Sequence, residues 1–288
     1  MKKEVICSPI RWAGSKKKVL NDMLDFFEID KDNYIEPFLG SGVVMINVLN
    51  NINALRYKNI YVNDINENII NFYNNLKTTP KKLVKELLDL SDIYNRKTST
   101  EKELMYYKIR DEFNNNEGNK SVYFYFLMKT GYNGVYRENK QGKFNVPFGK
   151  KEKVVVMEKE LLYISNLIKK VKFYNMSYEK FLDKLSRKGL MDNCFMYCDP
   201  PYIPDDKLVS QKQELYTSSN FNHYEFVEKI SSFEQSNIAV SMSESIKAKN
   251  IYGSYFIAKN LTDIIRTVNP QKLFKSKEIL FVNYEKNK

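Results

Sequence analysis

Cys194-Phe195-Met196-Tyr197-Cys198 runs straight into Asp199-Pro200-Pro201-Tyr202. The first five residues form an apolar run and read as a buried strand. Two prolines cannot continue a sheet ladder, so the strand ends at this point. A carboxylate, a rigid backbone carbonyl and an aromatic ring are thereby held at the carboxyl end of a strand. In open α/β sheets ligands bind at that edge. The trio suits the gripping of a planar base by its exocyclic amino group. Asp199 and the Pro200 carbonyl offer two acceptors, and the Tyr202 ring offers a stacking face. The same tetrapeptide also makes an ordinary strand exit, so its surroundings decide between the two readings.

Upstream, Tyr34-Ile35-Glu36-Pro37-Phe38-Leu39-Gly40-Ser41-Gly42 precedes the helix-like Val43-Val44-Met45-Ile46-Asn47-Val48-Leu49. This is strand, glycine turn, helix, in which the backbone can approach a ligand and the helix start offers free N–H groups. Ile60-Tyr61-Val62-Asn63-Asp64 is a second strand ending in an acid. It follows the glycines at roughly the 20-residue spacing of a ribose-binding carboxylate. The full G-x-G-x-x-G is absent. An adenosine ligand without a pyrophosphate, such as S-adenosylmethionine, fits better than a dinucleotide.

Predicted strands fall at 34–36, 60–63, 171–175, 194–198, 238–242, 263–266 and 278–284. Their alternation with helical patterns predicts an α/β, Rossmann-like, mostly parallel sheet. No helix fits between the last two, so they are expected to pair as an antiparallel hairpin. Residues 76–157 read differently. Helical patterns at 81–90 and 101–113 and an aromatic run at 122–128 precede two extended arms joined by a turn at 137–143. The expected organisation is a discontinuous catalytic domain, 1–75 and 158–288, split by a mainly helical insert, 76–157, that carries a β-hairpin. The loop at 114–119 is flexible by composition.

The 288 residues hold 46 Lys and Arg against 35 Asp and Glu, a net charge of +11. Seventeen basic and ten acidic residues lie within 76–157, so most of the surplus is in the insert. An acidic polymer is the expected partner. Three cysteines (Cys7, Cys194, Cys198) without a C-x-x-C argue against a disulfide framework or a zinc site. His223 is the single histidine, which disfavours His-based metal clusters and His-dependent triads. No signal peptide or membrane-spanning run is present, so the expected location is the cytoplasm.

The chain resembles the Dam-like (class α) DNA adenine-N6 methyltransferases. The matching segments, in order, are Pro9-Ile10-Arg11-Trp12-Ala13-Gly14-Ser15-Lys16, the glycine turn from Glu36 to Gly42, and Asn63-Asp64-Ile65-Asn66. Tyr132-Asn133-Gly134-Val135-Tyr136-Arg137, Gly142-Lys143-Phe144-Asn145-Val146-Pro147-Phe148-Gly149, Asp199-Pro200-Pro201-Tyr202 and Val240-Ser241-Met242-Ser243 follow. The resemblance implies that Trp12, Lys16, Phe38, Gly40, Ser41 and Gly42 line an S-adenosylmethionine pocket and that Asp64 holds the ribose. It implies that Arg11 faces DNA. Double-stranded DNA is the implied partner. A cognate restriction endonuclease, a bacterial or phage origin, and a monomer or a weak dimer on DNA are compatible with it.

The chemistry follows from the residues. The adenine N6 lone pair is delocalised into the ring. Acceptors on both N–H groups, Asp199 and the Pro200 carbonyl, favour a tetrahedral and more nucleophilic nitrogen. Positioning and electrostatics then dominate, without a covalent intermediate or a metal. Cys198 reads as a small buried residue rather than a nucleophile. A base in a duplex must be flipped out to reach such a pocket, where Tyr202 would stack on it.

The hairpin segment is the expected sequence reader. Arg137 suits bidentate contact with guanine, and Asn133 suits base edges or phosphates. Lys140 and Lys143 suit phosphates. Val135 or Pro147 suits a thymine methyl. The segment resembles readers of GATC, and the resemblance implies that site or a related short palindrome. After the third strand, where relatives often carry an acid, stand Ser177 and Tyr178. Arg266-Thr267-Val268-Asn269-Pro270-Gln271-Lys272-Leu273-Phe274 departs from the serine- and glycine-rich loop of many relatives. Two other readings stay open at this point: methylation of RNA or of a protein glutamine, where Asn-Pro-Pro-Tyr is commoner, and DNA binding without turnover.

Overall fold

The structure is a computed structural model that describes residues 4–12, 14–27, 30–51, 57–203, 221–261, 264–269 and 272–285. Its strands are β1 (Asn33–Glu36), β2 (Asn59–Asn63), β3 (Val171–Tyr174), β4 (Cys194–Cys198), β5 (Asn237–Ser243), β6 (Ile257–Asn260), β7 (Ile264–Asn269), β8 (Lys272–Ser276) and β9 (Glu278–Val282). Its helices are α1 (Leu20–Phe26), α2 (Val43–Asn51), α3 (Glu67–Thr78), α4 (Pro80–Asn95), α5 (Ser99–Asn114), α6 (Lys120–Thr130), α7 (Glu158–Leu167), α8 (Tyr178–Ser186), α9 (His223–Ser231) and α10 (Ile246–Tyr252).

One seven-stranded sheet runs β3-β2-β1-β4-β5-β9-β6. The β1, β2, β3, β4 and β5 pairings are parallel, and β9 alone runs against its neighbours β5 and β6. This is the Rossmann-like, mostly parallel α/β arrangement that the sequence predicts. Every residue of β1 and of β4 is buried, as parallel strands covered on both faces require. Alternate side chains enter different cores. Tyr34, Phe195 and Tyr197 join one cluster; Ile35, Met196 and Cys198 join the other.

Strand order reverses between β1 and β4. The chain proceeds outward from β1 through β2 and β3, and from β4 through β5. A crevice therefore opens beyond the carboxyl ends of β1 and β4. Both sequence motifs, the glycine turn and Asp199–Tyr202, emerge into it.

Helix α6 packs against α3, α4 and α5. Its residues Val122, Phe124, Phe126, Leu127 and Met128 are buried around much of its circumference, as a central helix demands. Phe72 of α3 stacks on Tyr125 at 5.8 Å. The same continuous cluster holds Val62, Leu83, Tyr94, Phe124 and Phe195. Helix α5 starts at a capping box in which Thr98 and Glu101 satisfy each other's backbone N–H groups. Beyond α6 the arms at 131–148 pair at Gly131 with Phe148 and at Glu138 with Phe144. Asn139 Oδ1 closes the turn by accepting from Gln141 N–H at 2.9 Å and Lys143 N–H at 3.0 Å.

The expected pairing of 263–266 with 278–284 is not what forms. Asp263 lies outside the described residues. Strand β7 pairs with β8 across a two-residue connection, a local hairpin closure. Strand β9, buried along its whole length, inserts between β5 and β6 instead. An apolar strand is stabilised more by an interior position than by an edge. Among the described residues no helix is long and apolar enough to cross a membrane.

Candidate active site

The glycine turn is held from two sides. Gly42 N–H donates to the Leu39 carbonyl at 2.8 Å, and Gly40 N–H donates to Asp64 Oδ2 at 2.8 Å. Asn66 N–H donates to Asp64 Oδ1 at 2.8 Å. Burial pushes the Asp64 carboxyl up, and these backbone donors oppose that. Gly42 has φ +72°, and a Cβ there would lie 2.5 Å from Tyr73 Oη. That hydroxyl donates to the Ser41 carbonyl at 2.5 Å. The Ser41 hydroxyl accepts from Val43 N–H at 3.3 Å and caps the start of α2. A Cβ at Gly40 would meet only the Trp12 indole, at 3.5 Å.

Asp199 leaves β4 with its carboxylate fixed by two contacts. Ser241 Oγ donates to Oδ1 at 3.0 Å, and Lys16 Nζ donates to Oδ2 at 2.5 Å. Because Ser241 gives its proton to Asp199, Tyr197 Oη, 2.8 Å away, donates to Ser241. Burial first, then the Asp199 charge, raise the Tyr197 phenol well above its usual range, which keeps that proton in place. Pro200 is buried behind Asp199. Tyr202 is half-buried, and its hydroxyl donates to Glu278 Oε2 at 2.8 Å. The Lys16 ammonium lies 4.9 Å from the centre of the Tyr202 ring. Asp199, Tyr202, Lys16 and the glycine turn therefore share one crevice.

Several residues at the crevice carry no role in the sequence reading. Ser241 and Glu278 are two; both lie on strands distant in sequence. Glu36 is a third. It is 1% exposed and accepts from Tyr34 Oη at 2.8 Å. Burial pushes its carboxyl well up. The Tyr34 hydrogen bond opposes this, and the charges of Asp199 and Asp64 add to it. Asn63 is the fourth: its amide donates to the Pro37 and Met176 carbonyls at 3.1 and 3.0 Å. It ties the ends of β1, β2 and β3 together. Ser241, Glu36 and Asn63 stand inside recognisable motifs, so a signal for them existed. Among the described residues no cluster of three His, Cys, Asp or Glu side chains gathers.

The segment before Lys16 bridges the crevice and the hairpin. Trp12 stacks on Tyr136 with centroids 5.6 Å apart and planes at 27°. Asn68 of α3 donates its amide to Tyr136 Oη at 3.0 Å. The Arg11 side chain crosses Gly134, where an added Cβ would lie 2.7 Å from Nε. Arg137 donates from Nε to Asn145 Oδ1 at 2.7 Å and from Nη2 to the Asn145 carbonyl at 3.2 Å. Asn133, at φ +54°, Lys140, Lys143 and Pro147 are exposed, and Val135 is half-buried. Phe38 packs in an aromatic group with Tyr178 and Phe221, at 5.5 and 5.8 Å between ring centres.

The sequence profile of the D12 class N6 adenine-specific DNA methyltransferases matches residues 12–267. A Type II methyltransferase, M.MjaIII, of Methanocaldococcus jannaschii is 34% identical over 224 residues, covering 74% of each chain. The Retron Ec67 DNA adenine methylase of Escherichia coli is 28% identical over 250 residues, 85% of this chain and 80% of that one. The DNA adenine methylase of Escherichia coli K12 is 32% identical over 197 residues, 68% of this chain and 64% of the other. The matched span takes in the glycine turn, the insert with its hairpin, and the Asp199 crevice. The chain belongs to the D12 class of N6 adenine-specific DNA methyltransferases and is an adenine-specific enzyme whose substrate is DNA.

Proposed function

We propose that the enzyme takes its methyl group from S-adenosylmethionine and delivers it to N6 of an adenine flipped out of duplex DNA, in GATC or a related short palindrome. The observation that carries this reading is the fixed Asp199 carboxylate, oriented by Ser241 beside the Tyr202 ring and across the β1–β4 crevice from the glycine turn.

Supporting the donor site, Gly40 borders the Trp12 indole at contact distance, so backbone and aromatic wall form a cradle for a flat nucleoside. The two Asp64 oxygens accept backbone N–H groups and keep lone-pair capacity for a ribose hydroxyl. Phe38, Tyr178 and Phe221 offer aromatic surface at the neighbouring strand end. S-adenosylmethionine supplies an electrophilic methyl on a sulfonium. The chain's own residues do the rest. Asp199 and the Pro200 carbonyl accept the two N6 hydrogens, so the nitrogen lone pair is freed from the ring. Tyr202, tethered by Glu278, stacks on the base. The Asp199 carboxylate would offset the positive charge that develops on nitrogen and accept the N6 proton that has to leave, passing it to solvent through its partly exposed side.

Residues 76–157 act as the recognition unit in this reading, and 1–75 with 158–288 as the catalytic unit. Asn145 aligns Arg137 for a guanine edge; Lys140 and Lys143 meet phosphates. Val135 or Pro147 meets a thymine methyl, and Arg11 and Asn133 face the duplex from beside Gly134. The protein works in the cytoplasm of a bacterial or phage-infected cell as a monomer or weak dimer on DNA, with a cognate restriction endonuclease as a further partner. Single-molecule sequencing of DNA from cells expressing the protein tests the site. N6-methyladenine in GATC supports the proposal; methylation confined to an unrelated motif refutes the GATC assignment and leaves the reaction standing.

A further inference from the structure

The Lys16 ammonium occupies the position that a target amine needs. It donates to Asp199 Oδ2 at 2.5 Å and to the Gly14 carbonyl at 3.0 Å, and it lies over the Tyr202 ring. Asp199 Oδ1 is engaged by Ser241, so Oδ2 is the oxygen turned toward the crevice. A base amine bonded to Oδ2 and a ring stacked on Tyr202 would each collide with that ammonium. Lys16 and a flipped base therefore compete for the same two partners.

Lys16 is only 3% exposed. A buried ammonium that leaves its carboxylate is destabilised unless a second acceptor receives it. The segment that carries Lys16 also carries Trp12, which borders the glycine turn through Gly40. A four-carbon side chain can redirect Nζ without a backbone shift, and S-adenosylmethionine carries an acceptor for it, the carboxylate of its amino-acid portion.

We propose that Lys16 is a positioning residue that couples the two substrates. Its ammonium guards Asp199 and Tyr202, and the carboxylate of the bound methyl donor draws it away, which opens the target-base site. The inference rests on the proposed donor and base sites. Its content is the order it imposes: base entry becomes favourable once a donor with a free carboxylate is bound. A binding coupling of this kind is reciprocal, so flipped-base DNA also tightens donor binding.

The test uses the full chain and a duplex with 2-aminopurine at the adenine the wild type methylates, which first establishes that the reaction reading holds. Fluorescence reports the unstacked base. In the wild type, S-adenosylhomocysteine, which keeps the carboxylate, is expected to raise affinity for the flipped base by about fivefold or more. Methylthioadenosine, which lacks it, is expected to leave affinity within about twofold. Lys16→Met is expected to show the flipped-base signal without any nucleoside and to respond to S-adenosylhomocysteine by less than about twofold. Lys16→Gln, which keeps a donor for the Gly14 carbonyl, repeats the measurement against a folding defect, with circular dichroism as the control. Wild-type coupling retained in both folded variants, folded variants that never flip the base, or methylthioadenosine coupling as strongly as S-adenosylhomocysteine each overturns the proposal. The two-nucleoside comparison on the wild type decides it even where neither variant folds.

Discussion

Ser241→Ala isolates the orientation of the Asp199 carboxylate, which the proposed mechanism uses. The hydroxyl gives one charge-assisted hydrogen bond, 3.0 Å to Asp199 Oδ1, and accepts one from Tyr197 at 2.8 Å. A bond to a charged group is worth about 1.5–3 kcal/mol. At about 1.4 kcal/mol per factor of ten, its loss lowers kcat by roughly 10- to 150-fold where the bond serves the transition state. The KM for S-adenosylmethionine should stay put, because Ser241 does not reach the glycine turn. A second cost falls on folding. Tyr197 is fully buried, and its hydroxyl would lose its partner, which costs about 1–3 kcal/mol. Tyr197→Phe separates the two effects. It leaves the Ser241–Asp199 bond intact, so its kcat should fall less than about threefold. In the double variant the folding cost of Ser241→Ala should shrink, since no orphaned phenol remains. Steady-state methylation and urea unfolding read the two quantities. Turnover within about twofold of wild type in Ser241→Ala would refute the reasoning, because Asp199 would then be oriented by something else.

Gly42→Ala should lose about 2–4 kcal/mol in urea unfolding, through backbone strain at φ +72° and the clash with Tyr73; a loss under about 1 kcal/mol contradicts the turn geometry. Glu36 holds its proton more tightly when folded, so its contribution is intact at acid pH and is lost as pH rises above the unfolded carboxylate value. Glu36→Gln should therefore gain stability over wild type as pH rises, by about 1.4 kcal/mol per pH unit until the folded value is passed. Parallel unfolding curves for the two proteins would count against a raised Glu36. Arg137→Ala should relax discrimination at one base pair by about 1–3 kcal/mol, whereas Lys140→Ala should weaken all sequences alike. A uniform loss from Arg137→Ala in competition binding would assign it to the backbone instead.

Strands β1 to β5, the glycine turn and the Asp199 exit were legible because their signals are local, whereas β6 and β8 were not expected. An apolar run stopped by two prolines, or two glycines before a helix, needs no knowledge of the rest of the chain. The turn at 137–143 was legible for the same reason. What escaped reading depends on distance. Strand β9 looks like a hairpin partner in sequence, but the two strands flanking it sit more than a dozen residues upstream. Lys16 and Asp199 are separated by 183 residues, and Tyr202 and Glu278 by 76. Lys16 was expected to line the donor pocket, and its ion pair with Asp199 was not foreseen. Ser241 and Glu36 lay in plain view inside motifs. Their functions emerge only when β4 and β5 pair and when burial removes water from Glu36.

The central claim is that this crevice methylates adenine N6 through Asp199. The most direct measurement digests duplex DNA after incubation with methyl-labelled S-adenosylmethionine and identifies the labelled nucleoside by mass spectrometry. The wild type is expected to yield labelled N6-methyladenine, and Asp199→Ala, shown by titration to bind S-adenosylmethionine, is expected to yield none. Label confined to cytosine, or near-wild-type adenine labelling by Asp199→Ala, would contradict the account.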